Sequence, residues 1–133
     1  MSEILLAVDD SIERALAQAR AVADLPMEDI RVVLLHVFVG ENPNGASVHR
    51  VASIRRAREQ LEDAGVDIEL AESSGDPAEA IVGTARERGV DLIVVAGRKR
   101  SPAGKAVLGS VSQSVLLTAD RPVLFCTADE DEA

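Results

Sequence analysis

The residues of this chain whose types and spacing could do chemistry lie in two stretches. The richer one runs Ala96-Gly-Arg-Lys-Arg-Ser-Pro-Ala-Gly-Lys-Ala-Val-Leu-Gly-Ser-Val111. Gly97, Gly104 and Gly109 allow backbone turns that a side chain would forbid. Both lysines of the chain, Lys99 and Lys105, fall inside it, beside Arg98 and Arg100. Ser110 and Gln113 have the spacing of a capping box at the start of a helix. A cationic, glycine-containing loop that feeds a helix N-terminus is an arrangement that binds phosphate. The stretch therefore reads as the phosphate-holding loop of a nucleotide site. The second stretch is Asp9-Asp10-Ser11, directly after the apolar run Ile4 to Val8. Asp9, at the carboxyl end of a strand, reads either as a local helix cap or as a ligand contact. Asp10, with Glu13 three residues on, reads as a helix cap. The chemistry implied is binding. No neighbouring base marks Ser101, Ser112 or Ser114 as a nucleophile. His36 reads as a satisfied residue at a strand end and His49 as a surface residue. No grouping has metal-ligand spacing, so neither a catalytic residue nor a metal site is expected.

The composition narrows the ligand. The chain has 133 residues, enough for one domain with a proper core, and 47% of them are hydrophobic. Phe38 and Phe125 are the only aromatics, so the core must be Val, Leu, Ile and Ala. Their scarcity argues against single-stranded nucleic-acid binding, which uses aromatic stacking platforms. A formal net charge of −9 argues against a DNA-backbone binder. Such a surface is soluble and self-repelling and suits a high-salt interior. The single cysteine, Cys126, excludes an intrachain disulfide and reads as a small core residue in a reducing compartment. No run approaches transmembrane length and the N-terminus has no signal-like pattern. A cytoplasmic location without membrane contact is expected.

Around these stretches the sequence lays out a scaffold. Ile4 to Val8, Val32 to Leu35 and Leu92 to Val95 are apolar runs that read as strands buried on both faces. Val66-Asp67-Ile68-Glu69-Leu70 alternates apolar and acidic residues, which predicts an edge strand. Pro122 to Cys126 reads as a fifth strand, and 128–133 as a solvated acidic tail behind a single domain over 1–127. A helix through about Asp24 carries Ala15, Leu16, Ala19, Val22 and Ala23 on its apolar face. A second, over about Ser47 to Ala64, buries Val51, Ile54, Leu61 and Ala64 and ends at Gly65. Asp76-Pro77-Ala78-Glu79 is the clearest helix start, with a stop at Gly89. Ser110 to about Thr118 is the last helix, and Gly40 to Ala46 is a turn-rich loop. Strand and helix alternate throughout. The pattern predicts an α/β fold with an open five-stranded parallel sheet and helices on both faces. Ligands in such sheets sit beyond the carboxyl ends of the strands where strand order reverses. With the first and fourth strands adjacent, Asp9 and the glycine loop would flank that crevice.

These fragments together resemble the universal stress protein (UspA-like) family over nearly the full length. The resemblance is carried by Ile4-Leu-Leu-Ala-Val-Asp-Asp-Ser11, Leu34-Leu-His-Val37, Gly75-Asp-Pro77, Gly89-Val-Asp-Leu-Ile-Val-Val-Ala-Gly97, Gly109-Ser-Val-Ser-Gln-Ser-Val115 and Arg121-Pro-Val-Leu124. It implies a Rossmann-like, adenine nucleotide alpha-hydrolase-like fold and a homodimer through the last strand. In the nucleotide-binding branch it implies ATP, with magnesium, held by a motif of Gly, two residues, Gly, nine residues, then Gly followed by Ser or Thr. Gly97, Gly109 and Ser110 match its first and last members. Asp9 matches the acidic residue near the ribose, Val37 the apolar residue that flanks the adenine, and Ala96 the strand end beside the base. Nucleotide contacts are thus expected at Asp9, Val37, Ala96, Gly97, Arg100, Gly109, Ser110 and Val111. Two departures stand out. Arg100 replaces the second motif glycine, and the segment from Gly97 to Gly109 is one residue short. Arg100 either blocks the close approach of phosphate or meets it with a planar guanidinium.

The expectation is a stress-response regulatory module that binds an adenine nucleotide, with slow hydrolysis at most. The alternative is a nucleotide-free dimeric adaptor of the same fold. A phosphoacceptor receiver domain would need an Asp after the third strand and a Lys after the last. Leu70 to Ser74 and Thr127-Ala128 supply neither. A flavin carrier lacks the aromatics to sandwich its ring.

Overall fold

The computed structural model describes residues 2–39, 48–100 and 105–129. The turn-rich stretch from Gly40 to Ala46, Gly104, and residues 130–133 lie outside them, as do the side chains of His49, Arg98, Lys99, Arg100 and Lys105. The elements are β1 (Ser2–Ala7), α1 (Ile12–Ala23), β2 (Ile30–Phe38), a 3-10 turn (Val48–Arg50), α2 (Ala52–Asp63), β3 (Asp67–Ser74), α3 (Pro77–Arg88), β4 (Leu92–Arg100), β5 (Lys105–Val107), α4 (Ser110–Thr118) and β6 (Val123–Asp129).

Five of these strands form the expected parallel sheet, in the order β3-β2-β1-β4-β6. Strand order reverses between β1 and β4, which pair from Ile4 opposite Leu92 to Leu6 opposite Val94. The alternating segment is indeed at an edge: β3 pairs with β2 alone, and its residues range from half-buried to exposed. Glu69 on β3 accepts from Arg31 of β2 and pairs with Arg88 of α3.

The segment after Val95 departs from expectation. It is not a loop from Ala96 onward. β4 runs on to Arg100 and turns back into β5, an antiparallel hairpin with Arg98 opposite Val107 and Arg100 opposite Lys105. A strand has two edges. β6 occupies one edge of β4 from Ile93 to Lys99, so β5 lies along the edge that β1 uses lower down. The hairpin therefore stands over the end of β1. Likewise β6 continues through Ala128, which is buried, to Asp129. Ala128 and Asp129, expected in the tail, thus belong to the last strand.

The core is aliphatic and lies on both faces. On one, Ile4, Leu6, Val32, Leu34 and Val94 meet Ala15, Ala19 and Val22 of α1 and Ile54, Ala57 and Leu61 of α2. On the other, Leu5, Val33, Leu35, Ile93 and Val95 meet Ala78, Ile81, Val82 and Ala85 of α3 and Val115 of α4. Period two in the strands produces this division, since alternate side chains face opposite helices. Cys126 is buried with the first group, and burial pushes its thiol pKa up. In α1 the buried stripe is Ala15, Gln18, Ala19 and Val22; Ala23, expected inside, is exposed, as is Ala64 after α2.

Helix ends follow local chemistry. Asp76 caps α3, accepting from Glu79 N at 3.0 Å, with Pro77 in the first turn, and Gly89 closes it in the left-handed region at φ 64°. Gly65, at φ 77°, does the same after α2. α1 is capped one residue later than the Asp10–Glu13 spacing suggests. Ser11 is the cap and its hydroxyl accepts from Arg14 N at 3.2 Å. Asp10 loses that role because Asp9 takes the Ser11 amide and fixes the turn one step on.

Candidate functional site

β1 and β4 part after Leu6 and Val94, because β1 ends at Ala7 while β4 continues into the hairpin. The parting leaves a crevice of about 480 Å³ beyond the carboxyl ends of β1, β2 and β4. Its walls are strand ends (Ala7 to Asp10, Leu35 to Val37, Val95 to Gly97), Arg14 and Gln18 of α1, Pro77 and Ile81 of α3, and Gly109 to Ser112 at the start of α4. Asp9, Val37, Ala96, Gly97, Gly109, Ser110 and Val111 are thus brought together from four separate parts of the sequence. Arg100 is placed only through its backbone, opposite Lys105 in the hairpin.

The crevice has three chemically distinct zones. Leu35, Val37, Val39, Pro77 and Ile81 make an apolar wall on the α3 side. A planar ring would displace water there at little polar cost.

The second zone is polar and lies at the end of β1. Asp9 Oδ1 accepts from Ser11 N and Oδ2 from Arg14 Nε, both at 2.9 Å. The Asp9 side chain is still 55% exposed, and an ionised carboxylate has about four acceptor positions. Among the described residues two of them are taken, by Ser11 N and Arg14 Nε. Ser53 Oγ donates to the Asp9 carbonyl, which pins the residue to α2. Behind it, His36 is buried. Its Nδ1 lies 2.8 Å from the Val8 carbonyl, an acceptor, so Nδ1 carries the proton. The ring stands edge-on to Phe38 at 4.8 Å. His36 is the satisfied strand-end residue expected of it.

The third zone is the N-terminus of α4. Its cap residue is Gly109, at φ −72° and ψ 166°, and no side chain caps it. The capping box read from Ser110 and Gln113 does not form, because Ser110 is already the first helical residue. Uncapped first-turn N–H groups and the positive end of the helix dipole suit an anion. Ser112 Oγ donates to the Ala96 carbonyl at 3.0 Å and so ties this helix start to β4.

Four residues here are not legible as site residues from motif spacing. Arg14 reads as an ordinary helix charge, yet it pairs with Asp9. Gln18 is 1% exposed. Its Nε2 donates to the carbonyls of Ala7 at 2.7 Å and Val94 at 3.1 Å, bridging the two strands where they part. The signal was its position one residue before Ala19, inside the apolar stripe. Pro77 and Ile81 gave no signal beyond helix start and core. Nothing in the crevice pairs a nucleophile with a base, and the described residues hold no group of three or more His, Cys, Asp or Glu suited to a metal. No helix among them is long and apolar enough to cross a membrane. The arrangement can bind an apolar ring, a hydroxylated link and an anion in that order.

Comparison with known proteins shows the family and the fold. The model of the universal stress protein family matches residues 1–127. A universal stress protein of Bacillus subtilis is 29% identical over 144 aligned positions, covering 93% of this chain and 97% of that one. The solved structure of a universal stress protein from Archaeoglobus fulgidus superposes with a TM-score of 0.78 at 28% identity, over 95% of this chain and 98% of that one. A universal stress protein solved in complex with cAMP superposes with a TM-score of 0.73 at 26% identity, over 96% and 98% of the two chains.

Proposed function

Because the chain belongs to the universal stress protein family, we propose that it binds an adenine nucleotide, ATP by preference, in the crevice between β1 and β4 and acts as a stress-response regulatory module. One observation carries the reading. Gly97 and the uncapped start of α4 at Gly109 to Val111 meet Asp9 and Val37 around one cavity, though they are far apart in sequence. The order of zones matches the order of groups in a nucleotide. The base lies against Val37, Ala96 and the α3 wall, the ribose donates to Asp9, and the phosphates take the backbone N–H groups of Gly109, Ser110 and Val111. The relative solved with cAMP supports the class of ligand. Magnesium would accompany the polyphosphate as its counterion.

The test is calorimetric titration with ATP, ADP, AMP and cAMP, with and without magnesium, on protein freed of copurified nucleotide. Micromolar binding of at least one is expected. No heat from folded protein would favour the nucleotide-free adaptor, the reading that Arg100 and the shortened loop support.

The same proposal extends to a homodimer through β6 in the cytoplasm. β6 pairs with β4, and among the described residues no strand pairs with its other edge. An unpaired strand edge is a template for a second strand. Light scattering at micromolar concentration should give twice the 14.1 kDa chain mass.

A further inference from the structure

Gln18 is not spent on holding the sheet together. Its side-chain nitrogen has two hydrogens and both are used, on the carbonyls of Ala7 and Val94. Two carbonyl acceptors fix which end of the amide is nitrogen, because an oxygen in that place would face two like dipoles. The other end is therefore Oε1, an acceptor. Among the described residues Gln18 bonds only through Nε2, and no donor meets Oε1. Every fully buried side-chain nitrogen or oxygen among the described residues has a partner, so Oε1 is not sealed off. Gln18 is 1% exposed and is one of the residues that line the crevice. A side chain buried to this degree, with one unpaired acceptor at a cavity surface, is set to receive a donor.

We infer that Gln18 is a specificity residue of the proposed nucleotide site, whose Oε1 accepts a hydrogen bond from a ribose hydroxyl. This rests on the nucleotide reading above. Position selects the hydroxyl over the adenine amine. Gln18 lies on α1, on the face of the sheet opposite the apolar wall of Leu35, Pro77 and Ile81. It stands one helical turn from Arg14, which pairs with Asp9. The acceptor thus sits on the Asp9 side of the cavity, where the sugar crosses the end of β1. With Asp9, whose other partner there is the Arg14 guanidinium, it gives the site two acceptors at that level. A sugar lacking that hydroxyl loses the hydrogen bond to Oε1.

The experiment is a cycle between protein and ligand. ATP, 2′-deoxy-ATP, 3′-deoxy-ATP and the purine-riboside triphosphate that lacks the exocyclic amine are titrated into the wild-type chain and into Gln18→Met, which keeps length and bulk. In the wild type one of the two deoxy analogues should bind about three- to tenfold more weakly than ATP. In Gln18→Met that same penalty should vanish, while the penalty for losing the amine stays unchanged. A second measurement covers the case that Gln18→Met fails to fold. The Gln18 side-chain amide signal of labelled wild-type protein should move on adding ATP and not on adding the discriminated analogue. Because Asp9 accepts from the sugar as well, one hydroxyl penalty can persist in Gln18→Met; equal affinities for ATP and both analogues, every hydroxyl penalty persisting unchanged in Gln18→Met, or coupling to the amine instead, would overturn the inference and leave the nucleotide site standing. No binding of any of the four would remove that site and this inference with it.

Discussion

Helices α3 and α4 pack side by side on the same face of the sheet and begin in opposite ways. α3 is closed at its start: Asp76 accepts from Glu79 N, and Pro77 occupies a position whose N–H would have no partner. α4 begins at Gly109, which has no side chain to cap it, and that turn forms a wall of the crevice. The amides that α3 satisfies from its own sequence, α4 leaves to whatever enters the crevice. α2 also lacks a side-chain cap, but it follows the 3-10 turn at Val48–Arg50 and does not line the cavity. The contrast shows that an unfilled cap is informative when it coincides with a cavity, and uninformative when it does not.

The comparison can be broken most directly by making α4 resemble α3. Gly109 has cap-like backbone angles, and a Cβ built on it meets nothing within 4 Å. Gly109→Asp should therefore fold, cap α4, and place a carboxylate where phosphate is proposed. Loss of two charge-assisted hydrogen bonds, worth about 1.5–3 kcal/mol each, predicts at least a hundredfold drop in ATP affinity. Calorimetry should record it with a melting temperature equal to or slightly above that of the wild type. A Gly109→Asp protein that binds ATP normally would show that the open helix start is not the anion site.

The converse change should separate stability from binding. Asp76→Ala removes the α3 cap and should cost about 1 kcal/mol in urea denaturation, with ATP affinity unchanged. Asp9→Asn comes next. It weakens the pairing with Arg14 and the acceptor offered to the sugar, and should reduce ATP affinity about three- to tenfold. The smallest effect is expected of Ser112→Ala. It removes the hydrogen bond to the Ala96 carbonyl, for about 1 kcal/mol of stability and a two- to threefold change in affinity.

How far the sequence could be read followed from whether each signal was local. Asp76-Pro77 and Gly89 mark a helix by chemistry within a dozen residues, and α3 lies where they say. The acidic residues at alternate positions of β3 place it at the edge, because a buried sheet position would leave Asp67 and Glu69 unsolvated. The β5 hairpin was hidden. Arg98, Lys99 and Arg100 show no apolar alternation, and what makes them a strand is pairing with β6 and β5, neither of which the charges announce. The capping errors at Asp10 and Ser110 are shifts of one residue between two good cap formers, decided by the Asp9 side chain in one case and by the backbone of Gly109 in the other. The crevice itself was legible because the switch between β1 and β4 brings Asp9 and Gly109 together whatever the loop does. Gln18 was not, since a glutamine among alanines looks like a solvated helix position until the neighbouring strands are known.

The bridge that Gln18 makes between Ala7 and Val94 has a consequence for the kinetics of binding. A side chain of the folded protein braces the two strands where they part, so the opening between them is fixed by the protein's own hydrogen bonds. If the proposed nucleotide binds there, entry should require no strand to move. Stopped-flow traces of binding should be single exponentials whose observed rate rises linearly with nucleotide concentration, without the plateau that a preceding opening step would impose.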